Sequence, residues 1–412
     1  MYFGWDFTGY KKGYQRFDII VSELRKAGHE VHVIGLKRIW NNKKQKIFGY
    51  FEQADSAINI IEPRWASMID VIMDRLFIAN FFEAIMFLIL CLKIKPDVVI
   101  IQDEPVGFSF WFTIFSKMFK IKTFVDYQDL IVRLCSYPNK KGLSYNLGIL
   151  INERIIPKNV KGLIVTTEFG KKYFSPVARK IFIIRELVVP EIYNNVSEEV
   201  KNQVISKFNI NLKKYKILWV GRLHPRHLKS LVMLFRAVSE ISFKEKIQII
   251  IVGNGEQLSY LMRLGKTLSL DVVYTGYLTP TSKTLIALYK ISDIGFMSGV
   301  DELFMHFVAG LKLSEYLAAG LPVIVPSLYG IKEVIKGNGV LYNPDDLDDL
   351  KQKIIFMLNT DLKEMSCASK EIAHKLLSPM AFRNILNDFI NFLKCKENKI
   401  KVAFYYLLFI TY

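Results

Sequence analysis

Cysteine is scarce in this chain: there are four among 412 residues, Cys91, Cys135, Cys367 and Cys395, and none stands in CxxC spacing. That excludes a disulfide framework or a cysteine-built zinc site and fits a reducing compartment. Acidic residues fall short of basic ones, 39 against 56, which leaves a formal charge of +17 and a pI near 9.4. Such an excess favours an anionic partner without choosing among nucleic acid, an anionic membrane face and a phosphorylated substrate. Lys and Arg are spread along the chain with no basic-aromatic platform, so no nucleic-acid partner is expected. Long uninterrupted apolar runs are also lacking. Residues 76–92, LFIANFFEAIMFLILCL, carry Glu83 and run straight into a strand-like KIKPDVVII. The run is slightly short for a bilayer span, which favours a buried or membrane-surface helix over a transmembrane one. Residues 1–13 have neither the basic start nor the apolar run of a secretory signal, so a cytoplasmic location is expected.

What the chain does have is apolar and aromatic substance. Hydrophobic residues make up 51 %, with 30 Phe and 20 Tyr, enough for a large core and, at this length, for two domains. Residues 16–28 have helical apolar spacing and run into a strand at 30–36, EVHVIGL. The strand that should precede this helix has only residues 1–5 available, with Gly9 and Gly13 in the loop that follows. Further strands are predicted at 58–61, 97–102, 122–126 and 162–166, and continuous runs such as VVII indicate parallel strands covered on both faces. The pattern loosens between 181 and 215. A second alternation then begins, with strands at 216–221, 247–255, 271–278 and 293–297 and helices at 229–239, 256–268 and 282–291. The final KCKENKIKVAFYYLLFITY, too short to span a bilayer, has three candidate readings: docked on the protein, against a membrane, or an artefact of gene prediction.

In parallel sheets ligands collect at the carboxyl ends of strands. Those ends carry Gly221 and Arg222, then Gly253 and Gly255, then Gly276, Tyr277 and Leu278, then Ser298. Lys229 is placed at the opening of the next helix. The stretch HFVAGLKLSEYLAAGLPVIVP from His306 reads as a short helix bearing Lys312 and Glu315, a stop at Gly320, and a buried strand at 323–325. A cation at a helix start suits an anion, and a carboxylate one turn on suits sugar hydroxyls. The alternative is a solvated Lys–Glu pair on an amphipathic helix. At four successive strand ends, the first reading is that these groups converge on two phosphates and a ribose.

These residues resemble a known family. GRLHPRHLK, VGNGEQL, VVYTGYLTPTSKTLIALYKISDIGFM and KLSEYLAAGLPVIVPSLYGIKEVI are similar to the C-terminal domain of family 4 (group 1) glycosyltransferases, in particular members reading KLxEY. GHEVHVIGL, KPDVVII and GLIVTTEFGKKYF resemble the N-terminal domain of that family. The resemblance implies an α/β GT-B fold, two Rossmann-like doubly wound parallel-sheet domains facing a cleft. Residues 1–190 would bind the acceptor, 191–378 the nucleotide-sugar, and the helix and tail at 379–412 would pack back on the first domain. It implies a retaining, metal-independent hexosyltransferase with no cofactor, whose partners are a nucleotide-sugar and a glycan or lipid-linked acceptor. The positive charge and the apolar helix around Phe81 to Leu92 would also suit peripheral contact with an anionic membrane.

Carried over by position, Arg222 and Lys229 would bind the donor diphosphate and Glu315 the ribose. Gly221, Gly253, Gly255, Gly276, Tyr277, Leu278, Lys312 and Leu313 would complete the donor site. Gly13, Asp126 and Asp129 would hold the acceptor. The chain departs from the family pattern at three places. Phe307 stands where an earlier glutamate is common, and Lys312 would then supply charge to the donor. The loop from Arg222 to Lys229 is longer than usual, which makes Arg226 and His227 substitutes for Lys229. The His–Asp pair of the acceptor half is replaced by Gln128 and Asp129, so Asp126 and Asp129 either hold acceptor hydroxyls or cap the next helix. GT-B folds also host nucleotide-sugar epimerases, which need a facing acid/base pair not found here; a catalytically degenerate member is the other alternative.

Overall fold

The structure, a computed structural model, describes residues 15–41, 44–53, 56–60, 78–102, 106–136, 142–393 and 400–411. The expected strand at residues 1–5, with Gly9 and Gly13, lies outside them. Strands are β1 (Glu30–Asn41), β2 (Lys44–Gln53), β3 (Ser56–Ile60), β4 (Val98–Gln102), β5 (Thr123–Tyr127), β6 (Gly162–Val165), β7 (Ile181–Ile183), β8 (Tyr215–Val220), β9 (Ile247–Val252), β10 (Asp271–Gly276), β11 (Ile294–Phe296), β12 (Val323–Pro326), β13 (Gly339–Tyr342) and β14 (Lys401–Thr411). The chain divides into two compact α/β units, one of Val21–Ile184 with Arg383–Tyr412, the other of Met1–Ile20 with Arg185–Phe382.

In the unit of Val21–Ile184 with Arg383–Tyr412 the strand order is β3-β2-β1-β14-β4-β5-β6-β7. From β1 through β14 to β7 the pairing is parallel, and β4, β5 and β6 are buried along almost their whole length, as such a doubly covered sheet requires. β2 and β3 are antiparallel additions at one edge, a departure from the all-parallel expectation. Asn41 pairs directly with Lys44, and so few intervening residues cannot make a parallel crossover. The C-terminal segment takes the place between β1 and β4, with Glu30 opposite Lys401 and Val98 opposite Val402. Val402, Ala403, Phe404 and Tyr405 are all buried, and the Tyr405 ring stacks on Phe108 and meets Phe87 edge-on. Of the three candidate readings, docking in the sheet is the one observed.

The unit of Met1–Ile20 with Arg185–Phe382 has a wholly parallel sheet in the order β10-β9-β8-β11-β12-β13. Ile217, Trp219, Ile249 and Ile251 pack against Leu231, Leu234 and Phe235 of the helix Pro225–Ser239. That helix begins earlier than the residue pattern suggests. His224 takes the N-cap and Pro225 the first helical position, where a missing N–H costs nothing and the fixed φ is already helical. Lys229 is therefore in the second turn rather than at the helix start. Ser282 and Asp346 cap the helices Lys283–Ile291 and Leu347–Leu358 through bonds from the Leu285 and Asp349 amides.

Candidate functional site

The sheet of the 185–382 unit runs outward from β8 in one direction through β9 and β10, and in the other through β11, β12 and β13. The carboxyl ends of β8 and β11 thus diverge at a topological switch point, where a parallel sheet leaves room for a ligand. β11 pairs with β8 only as far as Gly295 and Leu218. Beyond it, Tyr316 fills the gap: its hydroxyl accepts from the Val220 amide at 3.0 Å and donates to the Phe296 carbonyl at 3.3 Å. This ties the helix Leu311–Ala319 to both strand ends, and the Tyr316 ring lies close enough that a Cβ at Gly295 would meet it at 2.9 Å.

Glu315 hangs from the same helix and is buried, 1 % exposed, so the reading of a solvated Lys–Glu pair is corrected. Its Oε2 accepts from the Tyr289 hydroxyl at 2.7 Å and from Lys312 Nζ at 2.8 Å. Burial and the adjacent carboxylate push the Tyr289 phenol well above its ordinary pKa, so it stays a donor. The other oxygen, Oε1, is buried with no hydrogen-bond partner. A buried carboxylate oxygen without a donor is costly in isolation. With Oε2 satisfied by two donors, Oε1 is left as an unsatisfied buried acceptor. Phe307, at the position of the absent earlier glutamate, is buried, and Leu313 is buried with its amide bonded to the Gly310 carbonyl at 3.1 Å.

The strand-end glycines form a tight cradle. Gly253 has φ +139 and a Cβ there would lie 1.8 Å from the Gly221 carbonyl oxygen; Gly255 has φ +156 and a Cβ would lie 2.4 Å from that of Leu223. The loop crosses the end of β8 backbone to backbone, with the Leu223 amide bonded to the Asn254 carbonyl at 2.9 Å and the Gly253 amide to that of Gly276 at 2.9 Å. Gly253→Ala is expected to destabilise the protein by about 3 kcal/mol or more, because the opposing atom is backbone and cannot step aside. A urea midpoint equal to wild type would contradict this account of the loop.

Around the cradle, Arg222 is exposed, and Lys229 is exposed with its ammonium paired to the Asp345 carboxylate. His227 cannot replace Lys229 as a cation. Burial, with Arg226 and His224 nearby, pushes its imidazole down to about 3, so it is neutral at physiological pH. Arg226 Nε donates to His227 Nε2 at 3.1 Å, which leaves the ring proton on Nδ1 to donate to Ser298 Oγ at 2.8 Å. Trp219 Nε1 donates to the same oxygen at 3.0 Å. Tyr277 is exposed beyond β10. His306 is held on both ring nitrogens, by Asp301 at 2.6 Å and by the Tyr329 amide at 3.2 Å.

Of the expected acceptor residues, Gly13 lies outside the described residues. Asp126, at the end of β5, is buried and accepts from Gln128 Nε2 at 3.3 Å. The N-cap position of the next helix, Ile131–Cys135, is Leu130 rather than Asp126 or Asp129. The same strand end is braced by groups that residue spacing does not reveal. Tyr127 donates to the Asn152 carbonyl at 2.5 Å, and Arg133 binds the buried Glu153 through two nitrogens at 2.8 and 2.9 Å. Glu153 lies in a π-helical turn, Ile151–Ile155, a deformation often found at functional sites.

Two α/β units on largely parallel sheets, one with a glycine cradle and a buried carboxylate at its switch point, make up a GT-B fold. Residues 214–360 match the sequence model of the family described as "Glycosyl transferases group 1". The chain is 32 % identical over 183 residues to the uncharacterized glycosyltransferase MJ1607 of Methanocaldococcus jannaschii, over 41 % of this chain and 45 % of that protein. It is 27 % identical over 292 residues to the uncharacterized glycosyltransferase MJ1069 of the same organism, over 66 % of this chain and 69 % of that one. The chain thus spans less than half of the first relative's length. Among solved structures, sucrose-phosphate synthase from Thermosynechococcus elongatus superposes with a TM-score of 0.63 at 17 % identity, covering 81 % of this chain and 80 % of that one. Anabaena Alr3699/HepE in complex with UDP-glucose gives 0.55 at 16 % identity, covering 70 % and 78 %. At such identities the two structures speak for the fold.

Proposed function

We propose that this chain is a retaining, metal-independent glycosyltransferase of the KLxEY type, moving a hexose from a nucleotide-sugar to a glycan or lipid-linked acceptor in polysaccharide biosynthesis. The observation that carries the reading is Glu315, a buried carboxylate with one unpartnered oxygen at the switch point of a group 1 glycosyltransferase domain. On this reading Oε1 accepts from a ribose hydroxyl. Arg222 and Lys229 meet the diphosphate, with Lys229 exchanging Asp345 for a phosphate oxygen. The fold shared with a protein solved with UDP-glucose supports a nucleotide-sugar as donor. As the bond from the anomeric carbon to the phosphate oxygen breaks, negative charge grows on the diphosphate. Arginine, lysine and helix N–H groups stabilise it without a divalent cation. The acceptor oxygen bonds to the same face of that carbon, and its proton passes to the departing phosphate. Asp126 and Asp129 hold the acceptor hydroxyls. The enzyme works on the cytoplasmic side, in peripheral contact with the membrane.

A panel of UDP-, GDP- and ADP-sugars with EDTA present tests this, with release of nucleoside diphosphate as the readout. Wild type is expected to hydrolyse one donor class. Arg222→Ala is expected to lower the rate about a hundred-fold, the scale on which loss of one preorganised charge-stabilising donor acts. Equal hydrolysis of every donor by wild type, Arg222→Ala and Lys229→Ala overturns the assignment.

A further inference from the structure

Adjacent helices of the 21–184 unit turn apolar residues outward, and exposed cations gather toward their C-terminal ends, where Leu92, Met118 and Phe119 are exposed beside them. Helix Ile78–Ile94 exposes Phe82, Met86 and Ile89 at 52, 49 and 42 %, spaced as one outward stripe, and the next residue on that stripe is the exposed Lys93. Helix Val106–Met118 packs along it through Phe81, Trp111 and Phe115 and exposes Ile114 and Met118, with Lys117 and Lys120 at its end. Residues 143–159, which pack against that second helix, expose Leu143, Leu147 and Leu150, followed on the same side by Arg154 and Lys158.

The three helical segments lead into β4, β5 and β6, which are mutually parallel, so all three end at the same edge of the sheet. The cations gather at that edge. Lys95 and Lys120 follow two of the helices in left-handed backbone conformations, with φ of 54 and 56. Glycine or asparagine would suit such a position better, yet a lysine stands at both. The exposed stripe residues include no carboxylate, and Glu83 on the first helix is half-buried. No helix among the described residues is long and apolar enough to cross a membrane.

We propose that this face docks on an anionic lipid bilayer, with Phe82, Met86, Ile114 and Leu147 entering the acyl boundary while the lysine belt meets the headgroup phosphates. An exposed apolar face whose cations gather at one end complements a bilayer surface, where amphipathic faces bind through buried apolar area plus attraction to anionic lipid. The proposal rests on the glycosyltransferase reading only for what it would bring near, a lipid-linked acceptor.

The test is co-sedimentation of the full chain with phosphatidylcholine vesicles and with vesicles of equal parts phosphatidylcholine and phosphatidylglycerol. Wild type is expected to pellet with the anionic vesicles and only weakly with the neutral ones. Each lysine removed at the surface should weaken binding about five-fold, so Lys93→Glu with Lys120→Glu should weaken it more than twenty-fold. Phe82→Ser with Met86→Ser should abolish the binding that survives at high salt. These residues are exposed, so circular dichroism and UDP titration should match wild type. The proposal is overturned by absence of anionic-vesicle binding at low salt, by equal binding of both double variants, or by a dimer that Met86→Ser dissociates, which would make a second copy the occupant. Failure of the glycosyltransferase reading looks different: a chain that pellets with anionic vesicles but binds and hydrolyses no nucleotide-sugar.

Discussion

Removal of residues 400–412 is expected to unfold the unit that β14 completes, not merely to trim a tail. β14 is hydrogen-bonded on both sides, to β1 and to β4. Its loss would leave two parallel strands facing an empty slot with their N–H and C=O groups unpaired. Ile400, Val402, Phe404 and Tyr405 are each no more than 4 % exposed. At about 1.5–3 kcal/mol for each large apolar side chain, their burial alone contributes about 6–12 kcal/mol, comparable to a whole domain's stability of about 5–15 kcal/mol. Val402→Asp should act in the same direction with the chain length kept, since it places a carboxylate at a fully buried position. Urea unfolding followed by circular dichroism, with hydrogen exchange on β1 and β4, measures both. An unchanged midpoint with unchanged protection in those two strands would show that β14 is dispensable.

The placement of β14 illustrates which parts of the fold are legible in residue order. The apolar, aromatic character of residues 402–410 identifies a segment that must be covered, but its partners are chosen by a vacancy in a sheet built from distant chain. No local pattern encodes that. The strands β4 to β6 and β8 to β12 are legible for the opposite reason: a continuous apolar run flanked by helices has few other solutions than a doubly covered parallel strand. β2 is hidden because KQKIFGYFEQ mixes lysines and glutamine with aromatics and belongs to an antiparallel edge pair. The start of helix Pro225–Ser239 is missed because proline reads as an interruption, although at the first helical position it is an initiator.

The candidate site divides similarly. Glu315 and the strand-end glycines can be placed in advance, since a carboxylate one turn into a helix and glycines after a buried strand are local patterns. The partners that fix them are not local. Tyr289, which orients Glu315, comes from another helix, and nothing in its surroundings distinguishes it from any core tyrosine. Tyr316 is adjacent to Glu315 yet acts on β8 and β11, because β11 is too short to satisfy the Val220 amide. His227 stands where the resemblance would place a cation, and only the packing of Trp219, Ser298 and Arg226 around it reveals a neutral ring.

Glu315→Gln is expected to weaken binding of the nucleotide-sugar roughly ten- to a hundred-fold while the protein stays folded. Tyr289 O–H and Lys312 Nζ both donate to Oε2. In the variant the amide oxygen must therefore keep facing them, which sends the NH₂ group to the site of Oε1. The one unpartnered acceptor in the buried site becomes a donor. A hydrogen bond to a charged group contributes about 1.5–3 kcal/mol, which sets the size of the loss. Glu315→Ala should cost more and for a mixed reason, because it also strands the buried Tyr289 hydroxyl and removes the partner of Lys312. Lys312→Ala separates the two roles proposed for this helix. If Lys312 only neutralises Glu315, its loss lowers stability and leaves the affinity for the free nucleoside little changed. If it also meets donor phosphate, affinity for the nucleoside diphosphate falls more than affinity for the nucleoside. Calorimetric titration of nucleoside, diphosphate and nucleotide-sugar into the three variants distinguishes these cases, and wild-type affinity in Glu315→Gln would remove the ribose from this pocket.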